Sequence, residues 1–196
     1  MIIGDPAVFA IESVITVAYE RLGVRGLGFF LIHVKGQSYG VREPDATMLA
    51  CSLDEVERRI ASRGKHVAPF VSWPQAREIA EAFSYACYAL DQENKMFLDL
   101  RHAEFRQIIT SSRIEWAPDG DEAFDDGSFV LQFDANDQVR LIAFRRFDNS
   151  YEPDPATLAD VWLTARDYYR ILQEWHDVFL SEWRSALKSP EPAGTF

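Results

Sequence analysis

The sequence predicts an α+β domain, with an antiparallel sheet of about six strands, helices inserted mid-chain and a long amphipathic helix at the C-terminus. Three observations predict it. Apolar runs rich in β-branched residues lie on both sides of a central helical region. Two short stretches between them carry apolar residues at helical spacing, and a much longer one closes the chain. No alternation of strand and helix units runs along the sequence, which argues against a doubly wound parallel sheet. The 196 residues fit a single domain over 1–188 followed by a flexible tail over 189–196.

Taken in order, Gly4 reads as a turn residue before Pro6, and VFAIESVITVAY predicts a strand over 7–19. LGFFLIHV predicts a second strand over 27–34. KGQ (35–37) then makes a tight turn at Gly36, and a short strand returns near 38–41. SLDE offers Ser52 and Glu55 as a capping box for a helix that Gly64 stops. SWPQ offers Ser72 as the N-cap of a second helix, which carries Ile79, Ala80, Phe83, Ala86, Cys87 and Leu90 on one stripe. FRQIITSSRIEW (105–116) alternates as a strand would, and FVLQF (129–133) and VRLIAFRRF (139–147) form a hairpin across DANDQ. From Pro155 onward, Leu158, Val161, Trp162, Ala165, Tyr168, Tyr169, Leu172, Trp175, Phe179, Trp183 and Leu187 recur at three and four. That spacing predicts one helix of about 30 residues, or two in series.

Charge narrows the function classes. The net charge is −11, which disfavours nucleic acid and anionic membrane surfaces and suits a basic protein partner. The acidity is uneven: residues 91–160 hold sixteen Asp and Glu against seven Lys and Arg. The densest segment contains Asp119, Asp121, Glu122, Asp125 and Asp126, and the next hairpin loop adds Asp134 and Asp137. These seven carboxylates are the candidate partner-binding residues. A calcium loop starting at Asp119 fails, because Ala123 and Phe124 stand where a ligand and a glycine are required.

No catalytic signature is present. GxSxG, GxGxxG, P-loop and CxxC patterns are absent, and His33, His66, His102 and His176 show no metal-ligand spacing. Cys51 and Cys87 read as reduced, buried thiols. The expected site therefore has no catalytic residue, no cofactor and no metal. No Lys or Arg precedes Arg21, and Asp5 and Glu12 interrupt the first apolar run. A secretory signal is thus not indicated, and the expected location is cytoplasmic. These features leave three classes open: a binding protein, an adaptor or scaffold subunit, and a small hydrolase with a dispersed acidic site that includes His102.

The stretch MIIGDPAVFAIESVI, followed by GLGFFLIHVKGQSY, resembles the bacterial immunity proteins of polymorphic toxin systems, specifically the immunity protein 42 family. Gly4, Asp5, Pro6, Phe9, Ala10 and Ile11 carry the likeness, with Gly28, Phe30 and Gly36 in support, over about the first 40 residues. The resemblance implies an antidote that binds a cognate toxin domain in the cytoplasm and blocks it by steric and electrostatic occlusion. The charge suggests a basic nuclease as that toxin. The oligomeric state is left open.

Overall fold

The computed structural model describes residues 1–116, 122–147 and 150–190. The fold class is α+β, as expected, but the strands fall into three antiparallel sheets rather than one sheet of six. The first sheet joins β1 (Ile2–Asp5), β2 (Phe9–Ala18), β3 (Gly26–Val34) and β4 (Gln37–Tyr39) in that order, and β5 (Thr47–Met48) also pairs with β3. After helices α1 (Leu49–Ala61) and α2 (Ala76–Tyr88) comes a small hairpin, β6 (Met96–Phe97) with β7 (Leu100–Arg101), and then α3 (His102–Ser111). The third sheet has the order β10-β9-β8 and is built from β8 (Ser128–Ala135), β9 (Gln138–Arg145) and β10 (Ala159–Thr164). Helix α4 (Ala165–Ser185) follows.

The three-stranded sheet is the middle layer, and strand alternation splits its side chains between two cores. Val130 of β8, Val139, Leu141 and Ala143 of β9 and Ala159 of β10 join Phe9, Ile11, Phe30, Ile32, Leu53, Tyr168, Leu172, Trp175 and Phe179 in the larger core, which α1 and α4 close. Phe129, Leu131, Phe133, Ile142 and Phe144 point the other way and join Ile79, Phe83, Phe105 and Ile109 beneath α2 and α3. Polar atoms of the buried aromatics find partners: Trp175 Nε1 donates to Ser13 Oγ at 3.0 Å, and Tyr39 Oη donates to the Thr157 carbonyl at 2.6 Å.

Two glycines explain the signature of the N-terminal segment. A Cβ on Gly28 would lie 1.9 Å from the Val14 carbonyl oxygen, so the β2–β3 pairing admits no side chain there. Gly4 has φ +103°, and a Cβ on it would lie 2.5 Å from the Phe9 carbonyl oxygen. Gly4 therefore belongs to a strand, β1, that turn-residue statistics hide.

Five expectations are corrected. Residues 102–111 form helix α3 and not the beginning of a strand over 105–116. Phe105 and Ile109, one turn apart, are both buried under α2, and the Glu104 carboxylate accepts the Arg101 N–H at the helix start. Only the end of that segment is extended, where Trp116 N–H donates to Val130 and Gln132 N–H donates to Ile114, each at 2.8 Å. Residues 159–164 form β10, so α4 begins at Ala165 and has 21 residues; Thr164 caps it by accepting the Asp167 N–H at 3.1 Å. Ser52 and Glu55 do not cap α1. The helix starts at Leu49, Ser52 is buried within it, and Glu55 pairs with Arg59 at 2.9 Å. Ser72 does not cap α2 either, because the helix begins at Ala76 after Gln75. The thiols also differ from expectation: Cys51 is exposed, whereas Cys87 is half-buried.

Candidate functional site

The β8–β9 hairpin separates the candidate carboxylates into two groups. Asp119 and Asp121 lie outside the described residues. Glu122, Asp125 and Asp126 lie just before β8, whereas Asp134 and Asp137 lie at its far end and in the turn. Eight residues of strand put about 23 Å between the two groups, at ~3.3 Å per residue. The sequence therefore marks two separate surfaces.

At the first, Asp125 and Glu122 are exposed, and Asp126 is committed to the fold. Its carboxylate pairs with Arg145 Nε at 2.8 Å and accepts the Ser128 N–H at 3.1 Å. Arg145 in turn reaches the Ser38 carbonyl at 2.5 Å, tying the acidic end to β4. Exposed Phe147 and Tyr151 share a cleft with Asp125 and with Arg146, whose guanidinium lies 4.8 Å from the ring centres of both Tyr88 and Phe129.

At the second, Asp137 is exposed at the hairpin turn, and Asn136 beside it takes φ +55°. Asp134 is only 5% exposed and anchors a buried polar network. Tyr169 Oη donates to its carboxylate at 2.9 Å, His66 N–H donates to it at 3.1 Å, and Gln132 Nε2 approaches it at 3.3 Å. Gln132 Oε1 accepts from Tyr168 Oη at 2.6 Å and from Arg59 at 2.9 Å. Arg59, 1% exposed, also donates to the Glu115 carbonyl and lies 4.8 Å from the Trp116 ring centre. Burial raises the hydroxyl pKa of both Tyr168 and Tyr169, and neighbouring Asp134 adds to the shift. Burial lowers the His66 pKa, helped by Arg59. The sequence reading missed this network because Arg59, His66, Gln132 and Tyr169 lie far apart along the chain, and none has a local motif. A buried Gln at an inward strand position was its one legible trace.

The network fixes the floor of a cleft of about 520 Å³ between the hairpin turn and the start of α4. Arg63, Arg166 and Arg170 line it together with Asp137 and Asp167. Arg170 is already paired with Glu174 at 3.1 Å, and Arg63 lies over the Tyr169 ring.

The four histidines are all held by the fold. His33 pairs with Glu12 at 2.8 Å, and Arg42 grips the same carboxylate through two contacts of 2.5 and 2.6 Å. That Arg42 contact is the main reason the Glu12 carboxyl sits below its ordinary pKa. His102 bonds the Ala86 carbonyl, and His176 bridges Glu57 of α1 and Asp177 of α4. Among the described residues no group of three His, Cys, Asp or Glu is arranged to hold a metal ion, and no helix is long and apolar enough to cross a membrane.

The fold is similar to the crystal structure of CdiI from Burkholderia dolosa AUO158, with a TM-score of 0.56 and 16% identity over 92% of this chain and 99% of that one. No curated protein matches the sequence. The family model described as Immunity protein 42 matches residues 1–178, and the chain belongs to that family. It is an immunity protein of a bacterial toxin system.

Proposed function

We propose that the protein neutralises a cognate toxin domain in the cytoplasm by binding it and occluding its working surface, without chemistry of its own. The observation that carries this reading is the rigid presentation of carboxylates: Glu122 and Asp125 at one end of a three-stranded sheet, Asp137 at the other, all exposed. The buried network around Asp134 and the Asp126–Arg145 pair hold those two ends in place. An excess of negative charge speeds encounter with a basic partner and favours its orientation, so a basic nuclease suits this surface. Asp119 and Asp121 extend the same acidic segment in sequence and belong to the proposed contact set. Asp134 and Asp126 take part as the supports of their exposed neighbours.

The test is protection. Cells expressing the toxin domain encoded beside this gene should survive when the protein is co-expressed. A combined Glu122→Gln, Asp125→Asn and Asp137→Asn variant should protect less well, with complex formation that weakens and depends less on salt. Undiminished affinity and an unchanged salt slope would remove the carboxylates from the mechanism, and failure of the wild-type protein to protect would remove the function.

A further inference from the structure

Antiparallel pairing turns the N–H and C=O of every second edge residue outward, and native sheets usually blunt such edges with Pro, Lys, bulges or short strands. Three margins of the two larger sheets follow that rule. Residues 114–116 cover β8 through the Trp116–Val130 and Ile114–Gln132 bonds. β1 has four residues and is interrupted by Gly4 at φ +103°, and β4 has only three. β10 breaks the rule: it runs for six residues, Ala-Asp-Val-Trp-Leu-Thr, in unbroken register with β9 and has no Pro, Lys or bulge.

Its register shows which groups are bare. The Ala165 N–H donates to the Asp137 carbonyl at 2.7 Å, so Ala159, Val161 and Leu163 turn their backbone toward β9 and Asp160, Trp162 and Thr164 turn theirs away. Neither the N–H and C=O of Asp160 and Trp162 nor the N–H of Thr164 has a partner among the described residues. Trp162 lies in the middle of this row with 40% of its surface exposed. Its ring lies 5.4 Å from the Arg140 guanidinium, which is buried and fixed by Asp160 (2.9 Å) and by the Val71 and Trp73 carbonyls (2.7 Å each). The indole is thus a rigid, half-exposed platform of the type that dominates protein interfaces.

We propose that β10 is the strand to which an extended segment of the toxin adds, with Trp162 as the side-chain anchor. The proposal rests on the toxin-binding function above and adds a strand edge to its carboxylate contacts. Alternating outward donors and acceptors about 7 Å apart are matched in full only by another extended backbone. Charge selects the occupant: a second copy would bring its own net charge of −11, whereas a basic partner is attracted.

Amide hydrogen exchange, followed by NMR, tests it with the purified toxin domain encoded beside the gene. In the free protein the amides of Trp162 and Thr164 should exchange rapidly, while those of Val161 and Leu163 are protected. In the complex Trp162 and Thr164 should slow at least tenfold. Trp162→Ala should weaken binding at least tenfold while leaving the thermal midpoint within a few degrees. A complex that forms while the Trp162 and Thr164 amides remain fast overturns the strand-addition proposal alone. Protection of those amides in the free protein, with a dimer in solution, also overturns it by placing a second copy on the edge. Absence of any complex overturns both this proposal and the function on which it rests.

Discussion

The Tyr169 hydroxyl donates to the Asp134 carboxylate at 2.9 Å, joining the first turn of α4 to the end of β8 in a site where both side chains are almost fully buried. This contact locks the helix start to the hairpin, and with it the position of Asp137. Replacing Tyr169 with Phe leaves a buried carboxylate one donor short, which costs about 1–3 kcal/mol. A urea melt of Tyr169→Phe should show that loss as a lower midpoint with an unchanged slope. An unchanged midpoint would mean that the hydroxyl is replaceable.

Titratable side chains held by the fold, some of them in this network, set the pH limits of stability. Tyr39, Tyr168 and Tyr169 have pKa values raised above their ordinary 10.0 by burial, so their contribution is complete below pH 10 and is lost as the unfolded chain ionises above it. His66 has its pKa lowered from 6.5 by burial, so its contribution is complete above pH 6.5 and falls as the pH drops. Glu12, lowered from 4.5 chiefly by Arg42, adds a further loss below pH 4.5. Thermal midpoints should therefore form a plateau between about pH 6.5 and 10 with decline on both sides. His66→Gln should flatten the slope between pH 6.5 and 4.5.

Gly28 faces the Val14 carbonyl so closely that Gly28→Ala must separate β2 from β3. The expected cost is about 3 kcal/mol or more, read as a large drop in soluble yield or thermal midpoint. Gly36→Ala in the adjacent turn meets no atom within 4 Å and pays only for its φ of +81°, so it should be much milder. Equal effects would contradict the steric account of the N-terminal signature.

The two thiols should differ in reactivity. Cys87 is half-buried, and burial pushes its pKa up to about 12, whereas Cys51 is exposed near the start of α1. A thiol-specific reagent at pH 8 should modify one equivalent quickly and the second only on unfolding, with mass spectrometry placing the fast label on Cys51.

Much of the fold was legible in the sequence because period-two and helical stripes report burial directly. β2, β3, β8 and β9 appear where the apolar alternation puts them, and Tyr168, Leu172, Trp175 and Phe179 of α4 face the core as their spacing requires. The sequence misled where one pattern served two periods. Phe105, Ile108 and Ile109 satisfy a strand and a helix alike, and Leu158, Val161, Trp162 and Ala165 match helical spacing across a strand-to-helix junction that Thr164 creates. The acidic segment could be read from composition, but its separation from Asp137 could not, since it depends on the length and direction of β8. Nor could the fate of Asp134, which Tyr169 and His66 bury from opposite sides of the chain.

The decisive measurement is a titration of the toxin domain's own activity with this protein. Activity should fall linearly and vanish at one equivalent, with an added tight complex visible by size exclusion. Loss of activity at a small fraction of an equivalent, with turnover of the toxin or its substrate by this chain, would contradict an antidote that acts only by occupying its target.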